Sequence, residues 1–303
     1  MSASSSFADR LCAAAEAKGT CAVVGLDPHL EMLPPEYGLA ADSGAPRSKR
    51  ASRMGDFCCE LLEVIAPLVP AVKPQSAFFE ALGAAGAVQW ERVVRRAREL
   101  GLLVIGDVKR GDISSTARAY AAAFLEGGGD PEAACDAITL SPFLGADSIE
   151  PFLEVCARTG GGVFILVRTS NPGSADFQRL GTPELSFAIA ERVARWGEGL
   201  MGECGLSSVG AVVGATHGQE LAAFRDSMPR AVFLLPGYGA QGASARELSA
   251  AFTGPRRGAL VNSSRGICFA YKEARFARLT WQEASRKATQ AMIADLAGVD
   301  GGR

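Results

Sequence analysis

With 303 residues, 48% of them hydrophobic, the chain can close one large core. Its 31 basic and 33 acidic residues nearly balance, which argues against nucleic acid or an anionic membrane surface as a partner and for a small molecule. Eight cysteines without a CxxC pair, beside only two histidines, argue against a metal site, and cysteines inside apolar runs, such as Cys21 and Cys156, fit a reducing, cytoplasmic setting.

Within residues 1–20, Phe7, Leu11, Cys12 and Ala15 have the spacing of an amphipathic helix, with Ser6 as its N-cap. No signal-peptide core is present, and no apolar run approaches the roughly 20 residues that span a bilayer. Residues 21–26 read as the first strand, and the irregular stretch 28–54, with its PPEYG and DSGAPRSKR, as a long surface connection. Short apolar runs then recur at 68–72, 102–108, 137–140, 162–167, 209–213, 232–235 and 259–261. Helical spacing fills the intervals at 57–68, 87–100, 115–125, 148–156, 183–201, 217–224 and 244–252, and a closing helix spans 281–296 before a frayed tail at 298–303.

Continuous apolar strands imply burial on both faces, and their alternation with helices implies parallel pairing. Eight strand–helix units predict one α/β domain over residues 1–303, a (β/α)₈ TIM barrel with an extra N-terminal helix. An open doubly wound sheet would more naturally carry GxGxxG after the first strand, where this chain has GLDPHL.

In such a barrel the polar residues that end each apolar run gather at the carboxyl face. They are Asp27, Lys73, Asp107 with Lys109 and Asp112, Ser141, Pro236 with Gln241 beyond it, and Ser264 with Arg265. In the third run Leu103, Ile105, Asp107 and Lys109 share one parity, so one face changes from apolar to charged. An isolated DxK is usually a surface ion pair, but charges converging at a barrel mouth are costly to hold for stability alone. Ser114 or Ser115 can cap the following helix.

GLDP at 25–28, VKPQSAFFE at 72–80, DVKRGDISSTA at 107–117, TLSPFLG at 139–145, PGYGAQG at 236–242 and NSSRG at 262–266 resemble the orotidine monophosphate decarboxylases, particularly their longer branch. The resemblance implies decarboxylation of orotidine 5'-phosphate to uridine monophosphate, without a cofactor or metal, in a homodimer with shared active sites. It implies a Lys-Asp-Lys-Asp array at Lys73, Asp107, Lys109 and Asp112. Lys109 would protonate the carbon that loses carbon dioxide, Asp107 would lie near the departing carboxylate, and Asp112, with Thr116, would reach into the partner's site.

The loops after the seventh and eighth strands, where barrels often hold phosphate, offer Pro236, Gln241, Ser264 and Arg265. Asp27 suits ribose hydroxyls, with a turn cap before Pro28 as the alternative. Ser141 suits the pyrimidine amide edge, or simply backbone at a strand end. His29, His217 and the SNPGS segment at 170–174 receive no role. The competing functions are a metal-dependent sugar-phosphate aldolase or decarboxylase on the same barrel and a catalytically silent nucleotide-binding barrel. An ammonium at position 73 would repel a divalent cation in the first case.

Overall fold

The computed structural model describes residues 5–38, 44–215, 218–238 and 245–298. Its strands are β1 (Ala22–Leu26), β2 (Ala71–Pro74), β3 (Leu103–Arg110), β4 (Ala137–Leu140), β5 (Gly162–Arg168), β6 (Ser207–Val213), β7 (Ala231–Pro236) and β8 (Ala259–Ser263). They pair in parallel, in chain order, and β8 pairs back onto β1, so the sheet closes on itself. The helices are α1 (Phe7–Lys18), α2 (Arg47–Ile65), α3 (Ser76–Glu80), α4 (Gly83–Glu99), α5 (Ser114–Leu125), α6 (Glu150–Thr159), α7 (Ala175–Gln178), α8 (Leu185–Gly197), α9 (Gly218–Ser227), α10 (Arg265–Cys268) and α11 (Trp281–Leu296). This is the expected TIM barrel with its N-terminal helix. No helix among the described residues is long and apolar enough to cross a membrane.

Alternation of side chains along each strand divides the apolar residues into two clusters. The larger lies between strands and helices; the smaller fills the barrel's interior with Val23, Ala71, Ile105, Ala137, Phe164 and Leu260. Helix α1 closes the floor of that interior. Ser6 accepts the Asp9 amide as its N-cap, Gly19 ends the helix at φ 65°, and Phe7 meets Phe164 edge-on with centroids 5.9 Å apart. Phe7 is fully buried, so replacing it with alanine is expected to cost about 3–5 kcal/mol.

Two local expectations are corrected. Residues 47–54, expected in the surface connection, form the first turns of α2 and bury Ala51 and Met54. That start carries no side-chain cap: Pro46 precedes it, and the polar RSKR run hides the apolar stripe. Ser114 and Ser115 do not cap α5. Ile113 holds the N-cap position, and Asp112 Oδ1 accepts the Ile113 amide at 2.8 Å. Earlier in the connection Tyr37 is buried against Phe57 and Trp281, so this segment seals the seam between α2 and α11.

Candidate active site

Inward-facing positions change from apolar to polar as the strands approach their carboxyl ends. On β2, Ala71 gives way to Lys73; on β3, Ile105 to Asp107; on β4, Ala137 to Thr139; on β8, Leu260 to Asn262. Lys73 and Asp107 are 5% and 6% exposed, a depth at which neither charge is tolerable alone. Lys73 Nζ donates to Asp107 Oδ2 at 2.6 Å, and Lys109 Nζ to Asp107 Oδ1 at 2.5 Å. Thr139 completes the cluster: its hydroxyl donates to Asp107 Oδ1 at 3.0 Å and accepts the Lys109 amide at 2.9 Å.

These contacts fix the charge states. Burial would raise the Asp107 carboxyl, but the ammonium groups of Lys73 and Lys109 overcome it and hold the group well below the usual carboxylate range. Burial would likewise lower Lys73, yet Asp107 and then Asp27 push it above its ordinary value. The Lys109 backbone adopts φ 42°, where the β3–β4 register shifts between Gly106 and Arg110. Such a conformation costs a non-glycine residue about 1–3 kcal/mol and persists only where surrounding contacts impose it.

The array opens into a cavity at the barrel's carboxyl face, lined by Asp27, Lys73, Asp107, Ser170, Asn262 and Arg265. Pro236, Tyr238 and Ser264 are also in its wall. Asp27 Oδ1 and Asn262 Oδ1 are buried acceptors with no partner, a costly state that donors from a ligand would relieve. Gly25 makes room for this wall: a Cβ there would lie 1.9 Å from Ser264 Oγ and 3.1 Å from Asn262 Oδ1. Arg265, the first residue of α10, is exposed, and no carboxylate among the described residues pairs with it.

A model of the orotidine 5'-phosphate decarboxylase / HUMPS family matches residues 22–279, the whole barrel from β1 to the approach of α11. The chain belongs to this family. Orotidine 5'-phosphate decarboxylase of Rhodopirellula baltica is 45% identical over 303 residues, covering 96% of this chain and 99% of the relative. The Deinococcus radiodurans enzyme of that name is 46% identical over 249 residues, covering 82% and 83%. The solved structure of Leishmania donovani OMP decarboxylase superposes with a TM-score of 0.77 at 31% identity, covering 98% of this chain and all of that one.

For this member of the orotidine 5'-phosphate decarboxylase family, the structure gathers Asp27, Lys73, Asp107, Pro236, Ser264 and Arg265 around one cavity, and Lys109 joins them through Asp107 without itself lining the cavity. Gln241 and His217 lie outside the described residues. Asp112, Thr116 and Ser141 do not line the chain's own cavity. Asp112 sits half-buried past β3, Thr116 is exposed on α5, and the Ser141 amide donates to Arg110 O at 2.8 Å. His29 packs edge-on against Phe78 and Phe269.

Several lining or bridging residues escaped the sequence reading, among them Gln75, Thr139, Ser170, Tyr238 and Asn262. Thr139 and Asn262 were discoverable, because each continues the inward parity of a strand whose lower residues are apolar. Ser170 follows the end of β5 in the SNPGS segment, and nothing in its local pattern distinguishes it from an ordinary loop serine.

Proposed function

We propose that the protein decarboxylates orotidine 5'-phosphate to uridine 5'-monophosphate and carbon dioxide, the last step of de novo UMP synthesis, without a cofactor. The observation that carries this is a Lys73–Asp107–Lys109 array continuous with a cavity that is also lined by Arg265, which meets no carboxylate among the described residues. Breaking the bond between the pyrimidine ring and its carboxylate leaves an electron pair on a ring carbon with no good sink. The Lys109 ammonium stabilises that charge and then transfers a proton to the same carbon. Asp107 faces the departing carboxylate and Lys73 balances it.

One ammonium is not enough. A charge pair at about 4 Å is worth about 4 kcal/mol at an effective dielectric of about 20, against enzymatic barrier reductions of roughly 8–23 kcal/mol. The remainder comes from binding energy at the far end of the nucleotide, used to seat the pyrimidine in the array. Arg265 suits a phosphate dianion through its planar fork, with Ser264, Pro236 and Gln241 as the other members of that grip. Asp27 and Asn262 accept from ribose hydroxyls, and Ser170 within the cavity, or Ser141 at the end of β4, meets the pyrimidine amide edge.

The active unit of this reading is a homodimer in the cytoplasm. Ile113, Phe143 and Leu144 are exposed apolar side chains, 48%, 81% and 50%, on the loops after β3 and β4, which the Ser141 amide joins by donating to Arg110 O, and Asp112 and Thr116 lie on the first of these segments. Burial of these side chains against a second copy brings Asp112 and Thr116 to the partner's array.

A metal-dependent sugar-phosphate reaction is disfavoured because the Lys73 ammonium occupies the inner end of β2 and would repel a divalent cation. Following orotidine 5'-phosphate consumption and carbon dioxide release, with and without a chelator, tests the proposal. Turnover indifferent to the chelator is expected; activity lost with the metal would restore the sister reaction. Binding of uridine monophosphate with no carbon dioxide release would leave only a nucleotide-binding barrel.

A further inference from the structure

We infer that the Tyr238 hydroxyl and the Asp295 carboxylate form a latch through which the C-terminal helix sets Tyr238 in the cavity wall just past β7, making both of them positioning residues for the phosphate end of the substrate. The inference rests on the phosphate reading above and adds what holds that grip in place. Tyr238 stands two residues past Pro236, the last residue of β7, and lines the cavity together with Arg265. Its ring packs against the main core, and its hydroxyl donates to Asp295 Oδ2, in the last turn of α11. Burial, followed by the Asp295 carboxylate, pushes the phenol well above its ordinary range, so it remains a donor at working pH.

The acceptor is carried on a fixed support. Helix α11 starts with a capping box between Thr280 and Glu283 and buries Trp281, Ala284, Ala288, Met292 and Leu296. The same helix reaches the other arm of the grip: Ser285 Oγ donates at 2.8 Å to the carbonyl of Ile267, in the short helix that Arg265 begins. Tyr238 and the short helix that Arg265 begins are therefore both registered to α11. The need is physical, because Tyr238 follows Gly237, whose backbone adopts φ 99°, a left-handed position that only glycine takes freely. A hydrogen bond already made in the free protein holds Tyr238 in the cavity wall and lowers the cost of fixing it there when an anion binds.

The test uses Asp295→Ala, Tyr238→Phe and the double variant in the full chain, with uridine monophosphate and uridine binding measured by calorimetry and KM measured with orotidine 5'-phosphate. Asp295 is exposed and Tyr238→Phe keeps the ring, so folding is preserved. Each single change is expected to weaken uridine monophosphate binding about fivefold, as befits one exposed charge-assisted hydrogen bond, and to raise KM in proportion. Uridine affinity should stay constant, the double variant should bind no worse than either single one, and Asp295→Glu should recover part of the loss. Unchanged uridine monophosphate affinity, equal weakening of both ligands, or losses that multiply in the double variant would each overturn the latch. If the parent protein binds no uridine monophosphate, the phosphate reading itself fails and the latch falls with it.

Discussion

Replacing Lys109 with alanine separates chemistry from binding most cleanly. The side chain is 47% exposed and donates to Asp107 Oδ1, while Asp107 retains Lys73 and Thr139 as partners. The array is thus not left with a buried unpaired charge, and alanine meets the same φ 42° that lysine already tolerates. Folding should survive. An ammonium about 4 Å from the developing carbanion contributes about 4 kcal/mol at an effective dielectric of about 20, or about three decades in rate. A positioned proton donor adds about two to four decades. We expect kcat to fall by about 10⁵ or more while the affinity for uridine monophosphate stays within about tenfold, because the lost interaction belongs to the transition state. Absorbance loss of orotidine 5'-phosphate under single-turnover conditions, paired with calorimetry of the product, measures both. A variant that keeps more than about a hundredth of the parent kcat, or whose whole loss is lost product affinity, would refute the assignment of Lys109.

Asp107→Ala should behave differently, because it strands Lys73 at 5% exposure; we expect a loss of about 3–5 kcal/mol in chemical denaturation as well as lost turnover, and an unchanged denaturation midpoint would contradict the buried pair. Arg265→Ala should weaken uridine monophosphate about 10- to 100-fold while barely changing uridine, and equal affinity for the phosphorylated ligand would remove Arg265 from the site. If Asp112 serves the partner's cavity, co-expressing Lys109→Ala with Asp112→Ala should restore roughly a quarter of parental activity, since half of random dimers are mixed and each has one complete site; no recovery would place Asp112 in its own chain's site, and an Asp112→Ala protein that is active by itself would place it outside any. The depressed Asp107 carboxyl contributes stability that is present above about pH 4 and lost as pH falls through its folded value, while raised Lys73 contributes below about pH 10 and loses it as pH rises through its own. Neither group should therefore inflect kcat between about pH 5 and 9, and an inflection in that window abolished by Asp107→Asn would show that the pair titrates there.

Most of the architecture was readable because parallel barrel strands are buried on both faces and become uninterrupted apolar runs, with helices between them at their own period. The same alternation placed Lys73, Asp107 and Arg265 at strand ends, where a barrel gathers its reactive groups. The α2 start at Arg47 was not readable, since a polar run without a cap residue carries no local sign of the two buried side chains that follow it. What the tertiary structure alone decided is contact across the ring. Thr139 bridges Asp107 to the Lys109 amide, Ser170 enters the cavity from β5, and Tyr238 finds Asp295 57 residues further along the chain. Periodicity records which face of its own strand a residue occupies, but which distant side chain it meets depends on the register and closure of the sheet, quantities that no short stretch of sequence encodes.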